Sequence, residues 1–375
     1  MTSLNHFSLL KLSVKALLVL TLSSIAISPS VFADNTATTT NKTTDTTADN
    51  NADQTLVGQI IGASDVEFPD WFKESFLDFR EDAEEAAEEG KHMLVFADLK
   101  GCPYCAKMLE DNFKTAEKDG GNLEFIKENF DSIHINIKGS REIAFNEQME
   151  VTESELAKAL KVLYTPTLLF MNADNKVVAR LNGYRTPREF KTVLNYVKDK
   201  AYETTDLASY RSENLNDVVY ELLPNKHFTD ITDFQKASEK DKPIAILFED
   251  NTCGECEAFH KDILTNPDID NLMKAYNFAR LDALSDKEII DIDGNKTTAK
   301  DWIKKLGISY RPALVLYAEG EEKARVTGLL KTFHMTELLT YVADKEYETY
   351  ATWLEFGKVY QENILKSGKD IDIWK

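Results

Sequence analysis

Cysteine is scarce in this sequence. Its 375 residues contain four cysteines, in two pairs with CxxC spacing: Cys102 with Cys105, and Cys253 with Cys256. Disulfides that staple exported proteins usually link distant segments, and a bridge between residues three apart constrains the chain very little. The spacing therefore favours a redox role for each pair over a purely structural disulfide, which remains the alternative.

Basic residues are also few. The chain has 44 lysines and arginines against 64 aspartates and glutamates, which gives a formal net charge of −20. Such a chain should repel phosphate backbones and anionic lipid, so we expect neither nucleic acid nor a membrane surface as a partner. The hydrophobic content of 43% is sufficient for packed cores. The length suggests two domains of ordinary size.

Long hydrophobic runs are missing except near the N-terminus. There, two lysines (Lys11 and Lys15) precede an apolar run over residues 16–27, and Val31-Phe32-Ala33 follows. This pattern is typical of a secretory signal peptide. A membrane anchor is the less favoured alternative, because the run is shorter than the ~20 residues that span a bilayer. We expect residues 1–33 to be a signal peptide cleaved after Ala33, a periplasmic location, and no membrane insertion of the mature chain.

The next segment, residues 34–55, is rich in threonine, asparagine and aspartate. Nine of its 22 residues are threonine, and none is more hydrophobic than alanine. Such a composition cannot bury enough apolar surface to offset the entropy lost on ordering. The sequence therefore predicts a disordered leader.

The remainder of the chain contains an internal repeat. LAKALKVLYTPTLLF (156–170) aligns with WIKKLGISYRPALVL (302–316), and VLNYVKDKAYET (193–204) aligns with LLTYVADKEYET (338–349). The two cysteine pairs fall in the same order. A repeat of about 145–150 residues is too long for a solenoid unit and indicates two copies of one domain.

The repeat sets the predicted domain boundaries. The first domain covers residues 56–204 and the second covers 228–375, which includes a C-terminal helical extension. A helical connector over 205–227 joins them. Because a helix holds a fixed spacing, we expect the two sites to act independently.

Each copy has the same pattern of predicted elements. The apolar runs KHMLVFADL and KPIAILFED are short enough for buried parallel strands, and each leads directly into a CxxC pair that starts a helix. Further strands and two more helices follow in the order β-α-β-α-β-β-α. This order predicts an α/β fold with a mixed central sheet and helices packed on both faces.

These features resemble the thioredoxin fold in both halves of the chain. A strand ends in CxxC at a helix N-terminus, and an X-Pro pair follows about 60 residues later at the start of another strand. The pairs are Thr165-Pro166 and Arg311-Pro312. The long first helix, the Tyr-x-Pro triplet and the exported setting resemble the SoxW-type periplasmic thioredoxins. The resemblance covers roughly residues 65–200 and 228–349.

The resemblance implies a thiol–disulfide oxidoreductase. Disulfide exchange needs one thiolate to attack and a second thiol to resolve the mixed disulfide. A helix N-terminus stabilises a thiolate, which suits Cys102 and Cys253 for attack and leaves Cys105 and Cys256 to resolve. By analogy, the bond before each proline is cis, and an extended substrate pairs with the backbone there. The residues implied for the substrate grooves are Thr165, Pro166, Gly183, Arg311, Pro312 and Gly328.

The implied reaction needs no bound cofactor, because the dithiol carries the electrons, and we expect no metal site. The expected partners are disulfide-containing exported proteins and, for a reductase, a membrane electron donor of the thiol-relay kind. Two alternatives stay open. A peptide-binding or adaptor protein would use the grooves without redox chemistry, and a mixed arrangement would keep one domain catalytic while the other recruits a partner.

Zinc is a weak alternative for the cysteines, because zinc ribbons place their pairs only about 15–20 residues apart. Asp291-Ile292-Asp293-Gly294 resembles half a calcium loop, but a tight turn is the better interpretation. His260, four residues after Cys256, could contact the second site, but a surface histidine on a helix is the favoured interpretation.

Two features bear on the reactivity of the thiols. Ordinary thioredoxins carry a proton-accepting aspartate six residues before the first cysteine, and here those positions are Phe96 and Leu247. Lysines flank the first pair, whereas acidic residues surround the second: Glu249, Asp250, Glu255 and Glu257. Lys261 and Arg311 oppose these acids, but the local charge count still predicts a lower pKa for Cys102 than for Cys253.

Overall fold

The two sequence repeats fold into two α/β domains of similar topology in the computed structural model. The structure describes residues 57–62, 64–215, 221–240 and 242–375. The predicted signal peptide and leader lie outside these ranges. Part of the predicted connector, residues 216–220, also lies outside them.

The first domain contains the elements up to α6. Its helices are α1 (Phe79–Glu88), α2 (Pro103–Met108, continued by a π-helical turn over Leu109–Lys114), α3 (Leu123–Asn129), α4 (Glu153–Ala159), α5 (Pro187–Lys198) and α6 (Leu207–Asn214). Its strands are β1 (Ile60–Ile61), β2 (His92–Asp98), β3 (Phe130–Asn136), β4 (Glu142–Asn146), β5 (Met149–Thr152), β6 (Thr167–Met171) and β7 (Val177–Asn182). Short 3₁₀ turns cover Glu117–Asp119 and Ala201–Glu203.

The second domain repeats this order. Its helices are α7 (Phe234–Ser238), α8 (Gly254–Ala258, continued by a π-helical turn over Phe259–Ile263), α9 (Pro267–Met273), α10 (Ala299–Lys305), α11 (Thr332–Ala343) and α12 (Trp353–Lys366). Its strands are β8 (Ile244–Glu249), β9 (Asn277–Asp282), β10 (Glu288–Ile290), β11 (Lys296–Thr298), β12 (Ala313–Ala318), β13 (Glu321–Thr327) and β14 (Ile371–Asp372). A 3₁₀ turn covers Glu346–Glu348.

Each domain is built around a mixed sheet. The strand order is β3-β2-β6-β7 in the first domain and β9-β8-β12-β13 in the second. β2 pairs in parallel with β3 and antiparallel with β6, and β8 pairs in the same way with β9 and β12. Every residue of β2 and of β8 is buried, as their continuous apolar runs predict. The predicted fold class is therefore confirmed.

Helices cover both faces of each sheet, because side chains alternate along the central strand. Leu94 and Phe96 pack with residues of α2, α3 and α5, whereas Met93 and Val95 pack with residues of α1 and α4. In the second domain, α9, α11 and α12 lie over one face, and α7 and α10 lie over the other. The sheets thus hold each CxxC helix between the strand that precedes it and a hydrophobic core.

The segments around the predicted connector and the C-terminus are partly helical. The described part of the connector forms α6 over Leu207–Asn214, and residues 221–225 contain neither helix nor strand. Beyond the second copy of the repeat, the chain forms α12. β14 then pairs in parallel with β1, which joins the start of the first domain to the end of the second. This pairing was not predicted.

The two domains contact each other through equivalent tyrosines. Tyr164 precedes the Thr165-Pro166 pair, and its hydroxyl accepts a hydrogen bond from the backbone N–H of Thr327 at 2.8 Å. Tyr310 precedes the Arg311-Pro312 pair, and its ring lies between the guanidinium groups of two first-domain arginines, Arg185 at 3.9 Å and Arg211 at 3.8 Å. Both tyrosines are buried. The loops that precede the two prolines therefore form part of the domain interface.

None of the helices within the described ranges is long and apolar enough to cross a membrane.

Candidate functional site

Each CxxC pair lies where a strand gives way to a helix. Cys102 is the N-cap residue of α2, and its Sγ accepts a hydrogen bond from the N–H of Cys105 at 3.1 Å. Cys253 caps α8 in the same way, with a distance of 3.0 Å from the N–H of Cys256 to Sγ. Unpaired N–H groups and the helix dipole at this position favour a thiolate. The first cysteine of each pair is therefore placed to attack.

Both pairs are disulfides. The Cα atoms lie 5.3 Å apart in the first pair and 5.2 Å apart in the second. Cys105 and Cys256 are fully buried, while Cys102 is 7% exposed. Cys253 is more accessible than Cys102. At each site the first cysteine is more accessible than the second, which is the order that attack followed by resolution requires.

The loop before each predicted proline lies beside its disulfide. The Thr165–Pro166 and Arg311–Pro312 peptide bonds are both cis. The Thr165 hydroxyl donates a hydrogen bond to Cys102 Sγ at 3.2 Å, so the first loop contacts the attacking sulfur directly. Arg311 instead donates from Nε to the carboxylate of Asp250, and both side chains are buried. Thr165 thus meets its cysteine, whereas Arg311 is held by an acid three residues before Cys253.

The two predicted groove glycines lie at the domain interface. The N–H of Gly183 donates to Pro166 O at 2.7 Å, and the N–H of Gly328 donates to Pro312 O at 2.8 Å. Both glycines have positive φ, and a Cβ at Gly328 would overlap the Arg185 guanidinium. The other domain therefore packs against this side of each loop. Their role in binding a substrate stays a prediction.

A cavity of about 280 Å³ opens beside Cys102 and is bounded by both domains. The first domain contributes Tyr104 and Thr165, and the second contributes side chains from α11, α12 and the C-terminal segment. Most of the second-domain residues are apolar: Leu330, Phe333, Trp353, Leu354, Gly357 and Ile373. Tyr104 anchors the contact, since its hydroxyl accepts a hydrogen bond from the N–H of Lys331 at 3.2 Å. The first disulfide therefore faces a largely apolar space.

A second cavity, of about 260 Å³, opens beside Cys253 and has a different character. Half of the residues that line it are charged: Arg188, Glu189, Arg211, Asp250, Glu255 and Arg311. The first domain supplies its wall through α5 and α6, as the second domain supplies the first cavity through α11 and α12. The two sites thus have equivalent positions and unlike linings.

The charges at the second site are mutually compensated. Arg311 lowers the pKa of Asp250, against the opposing effect of burial, which is the larger single influence. Burial, reinforced by the nearby Glu189 carboxylate, raises the pKa of Glu255 to about 8. Part of Glu255 is solvent-accessible, but its Oε2 atom is fully buried. Glu255 is therefore mostly neutral at pH 7.

The sequence-based charge comparison consequently needs correction. At the second site, Glu257 forms an ion pair with Lys261. At the first site, Lys107 forms an ion pair with Asp111 at 2.8 Å. The charge count allowed for Lys261 and Arg311, but not for the pairing of Lys107 or for the raised pKa of Glu255. The order of the two cysteine pKa values stays a prediction, but this count no longer supports it.

The interpretation of His260 as a surface residue is wrong. His260 is 5% exposed, and its Nε2 lies 2.8 Å from Oε2 of the fully buried Glu249. The sequence pattern did not reveal this pairing because Glu249 precedes His260 by eleven residues and lies on a different element. The predicted tight turn at Asp291 is present, and Lys305 contacts both Asp291 and Asp293 through its ammonium group. In the described part of the chain, no group of acidic, histidine or cysteine residues could hold a metal ion.

Comparison with known proteins identifies the fold. The family model described as a thioredoxin-like domain matches residues 79–198 and again residues 232–343. The chain belongs to the thioredoxin-like domain family. Both copies of the thioredoxin-like domain include a CxxC pair and the cis-proline that follows it. Two such domains in tandem, with CxxC pairs in disulfide geometry, support membership among the thiol–disulfide oxidoreductases.

Several solved thioredoxin-fold structures are similar to part of the chain. A thioredoxin-fold protein from Helicobacter pylori is 25% identical over 36% of this chain and 88% of its own, with a TM-score of 0.28. A thioredoxin from Thermus thermophilus is 23% identical over 32% of this chain and 83% of its own, with a TM-score of 0.25. The C-terminal domain of DsbD from Neisseria meningitidis, in its reduced form, is 18% identical over 28% of this chain and 87% of its own, with a TM-score of 0.23. No curated protein matches the sequence.

Proposed function

We propose that the protein is an exported thiol–disulfide oxidoreductase that acts through both CxxC dithiols. In the reducing direction, the Cys102 thiolate attacks a substrate disulfide, forms a mixed disulfide and releases one substrate thiolate. The Cys105 sulfur, after losing its proton, then attacks Cys102 Sγ, which releases the second substrate sulfur and leaves the enzyme disulfide. Cys253 and Cys256 perform the same two steps at the second site. Oxidation of a substrate dithiol is the reverse sequence.

The observation that carries the proposal is the placement of the two sulfurs at each site. The first cysteine caps a helix N-terminus and opens into a cavity, and the second is fully buried behind it. At the first site, Thr165 also donates a hydrogen bond to the attacking sulfur, which stabilises it as a thiolate or as a leaving group. The dithiol itself stores the two electrons, so the reaction requires no bound cofactor.

The partners in this proposal are disulfide-containing proteins of the periplasm. The acidic charge of the chain argues against nucleic acid and anionic lipid as binding partners. A reductase also needs a source of electrons, and the proposed donor is a membrane protein of the thiol-relay kind. Since each cavity is enclosed on one side by the other domain, an extended segment or a small disulfide fits these sites better than a folded surface.

The test is disulfide reduction by the full chain with dithiothreitol as electron source and a fluorescent peptide disulfide as substrate. Cys102→Ser and Cys253→Ser should each remove part of the activity, and the double variant should remove it. A pure peptide-binding protein would be unaffected by these substitutions. Loss with only one of the two single variants would support one catalytic domain and one recruiting domain.

A further inference from the structure

We propose that Glu337, a residue of the second domain, exchanges a proton with the substrate sulfur that reacts at Cys102. The inference deepens the proposed function and rests on it. It assigns to the second domain a direct part in catalysis at the first site.

Glu337 and Cys102 line the same cavity from opposite domains. Glu337 is the sixth residue of α11 and is 4% exposed, so its carboxyl group is almost entirely removed from solvent. Among the described residues, its only hydrogen-bond partner is His334, whose Nδ1 lies 3.4 Å from Oε2. The other carboxylate oxygen, Oε1, has no such partner in this part of the chain. The Glu337 carboxyl group is buried, lines the cavity of the reactive sulfur and has one oxygen without a hydrogen bond to the described residues. It is therefore placed to take up or release a proton.

A glycine on the neighbouring helix makes room for this carboxyl group. Gly357 lies inside α12, and a Cβ there would overlap Glu337 Oε1. Glycine inside a helix is unfavourable relative to alanine because it has more conformational freedom to lose. The chain nevertheless has glycine at this position. The space that it leaves is occupied by the Glu337 carboxylate.

The internal repeat shows that the fold does not require glutamate here. Glu337 directly precedes LLTYVADKEYET, and the equivalent residue of the first domain, Thr192, directly precedes VLNYVKDKAYET. Thr192 is also buried, and its hydroxyl donates to the carbonyl of Arg188 in its own helix. A short neutral side chain is thus sufficient for packing at this position. The glutamate occurs only in the domain whose last helices cover Cys102.

The charged and titratable groups around Glu337 come from both domains. His334 lies on the same helix, Tyr360 lies on α12, and Tyr104 belongs to the first CxxC motif. Lys100 and Lys358 also line the cavity. Burial raises the pKa of Glu337, and the contact with His334 opposes this effect without cancelling it. A raised pKa brings a carboxyl group closer to the range in which it can both accept and donate a proton.

The proposed step balances as follows. A substrate thiol in the cavity gives its proton to the Glu337 carboxylate while its sulfur attacks Cys102 Sγ. The Cys102–Cys105 bond breaks, a mixed disulfide forms, and the Cys105 sulfur leaves as a thiolate, which carries the negative charge that Glu337 has lost. In the reducing direction, the neutral Glu337 carboxyl protonates the substrate thiolate as it leaves Cys102. No further oxidant or reductant is needed.

The experiment uses the full chain with Cys253 and Cys256 replaced by serine, so that only the first disulfide reacts. The oxidised protein is mixed with dithiothreitol, and the rate of reduction is followed by acid quench, alkylation and mass spectrometry from pH 5 to pH 9. In Glu337→Gln, we expect a rate about ten-fold lower at the acidic end, which is a modest general-base contribution. The two rates should converge at high pH, where dithiothreitol is already a thiolate.

A purely electrostatic role predicts the opposite sign. Removing a negative charge near Cys102 would ease the approach of a thiolate and would accelerate the reaction at high pH. That result, or pH profiles that superimpose, would overturn this inference but not the proposed function. A background protein whose disulfide does not react with dithiothreitol at any pH would overturn the proposed function as well.

Two further variants separate catalysis from folding. Glu337→Thr introduces the residue that the first domain already accommodates at the equivalent position, and it should reproduce the profile of Glu337→Gln. Glu362→Gln removes a carboxylate from the exposed side of α12, where Glu362 pairs with Lys366, and it should leave the profile unchanged. An unaltered profile in Glu337→Thr, with the thermal unfolding midpoint also unaltered, would contradict the inference.

Discussion

Tyr164 and Tyr310 hold equivalent positions in the two domains, and each packs into the hydrophobic core of the other domain. Tyr164 belongs to the cluster formed by second-domain residues, and Tyr310 belongs to a first-domain cluster that includes Cys102 and Cys105. Because each tyrosine directly precedes a cis-proline, both cis-proline loops are part of the contact between the two domains. Any movement that separates the domains would therefore also change the surroundings of both disulfides.

The first prediction concerns the hydroxyl groups of these two tyrosines. The Tyr164 hydroxyl is hydrogen-bonded to Thr327, whereas the buried Tyr310 hydroxyl has no partner among the described residues. Tyr164→Phe leaves the N–H of Thr327 without a partner and should lower the free energy of unfolding by about 1–3 kcal/mol. Tyr310→Phe keeps the ring between Arg185 and Arg211 and should change it by less than about 0.5 kcal/mol. Urea unfolding of the two variants measures the difference, and equal losses would contradict this account of the interface.

The second prediction concerns the pH dependence of stability. In the folded protein Glu255 keeps its proton up to about pH 8, whereas an unperturbed glutamate loses it near 4.5. Between these values the folded state binds one proton more than the unfolded state, so this group's contribution to stability falls as the pH rises. Glu255→Gln should remove that fall and should make the variant more stable than the parent above pH 8. Thermal unfolding midpoints from pH 5 to pH 9 measure this.

Glu257→Gln is the matched control for this experiment. Glu257 lies on the same helix, but it is solvent-exposed and pairs with Lys261. Exposed pairs contribute little to stability, so the control should follow the parent within about 0.5 kcal/mol at every pH. If Glu255→Gln follows the control, the raised pKa of Glu255 is wrong.

The third prediction concerns the C-terminal segment beside the first site. The Trp374 indole donates to the carbonyl of Gly62 at 3.2 Å, and its ring packs against the edge of Tyr104 at 5.3 Å between centroids. Trp374→Ala should loosen this cover and speed the reduction of the first disulfide. If the free energy of local opening falls by about 1 kcal/mol, the rate of reduction should rise about five-fold. The second disulfide serves as the internal control, and an equal acceleration there would indicate general destabilisation instead.

The fourth prediction follows from the unlike linings of the two cavities. A peptide disulfide with leucine or phenylalanine next to its cysteine should be favoured at the first site, because burying such a side chain contributes about 1.5–3 kcal/mol. This corresponds to a ten-fold or greater preference in kcat/KM over a serine-flanked peptide. The second site, where half of the lining residues are charged, should show no such preference. Chains with only one intact dithiol, measured with both peptides, provide the comparison.

Much of the fold could be predicted from the sequence, because its local signals agree with one another. The uninterrupted apolar runs of β2 and β8, the CxxC pairs directly after them and the repeated segments together determine two α/β domains. The cis bonds before Pro166 and Pro312 were also predicted, through the family resemblance. These features depend on neighbours in sequence or on a repeated pattern, which a single sequence displays.

The domain interface could not be predicted in the same way. Glu255 and Arg311 have partners on distant segments, so the sequence gives their charges but not what neutralises them. Counting acids near Cys253 therefore did not show how the charges of the second site are compensated. The role of Glu337 was also missed, although one sequence signal exists: Thr192 is its counterpart in the repeat. When one copy of a repeat has a charged residue at a buried position where the other copy has a neutral one, the shared fold does not require the charge.

Trapping of mixed disulfides tests the central claim, that both CxxC pairs are redox-active, most directly. With Cys105 and Cys256 replaced by serine, attack by Cys102 and Cys253 on a peptide disulfide cannot be resolved, so each should retain one covalently bound peptide. We predict that intact-mass spectrometry of the reduced protein will show two added peptides, and that proteolysis will place them at Cys102 and Cys253. A protein that gains no peptide mass at neutral pH, while its two thiols remain accessible to a small alkylating reagent, would contradict the account.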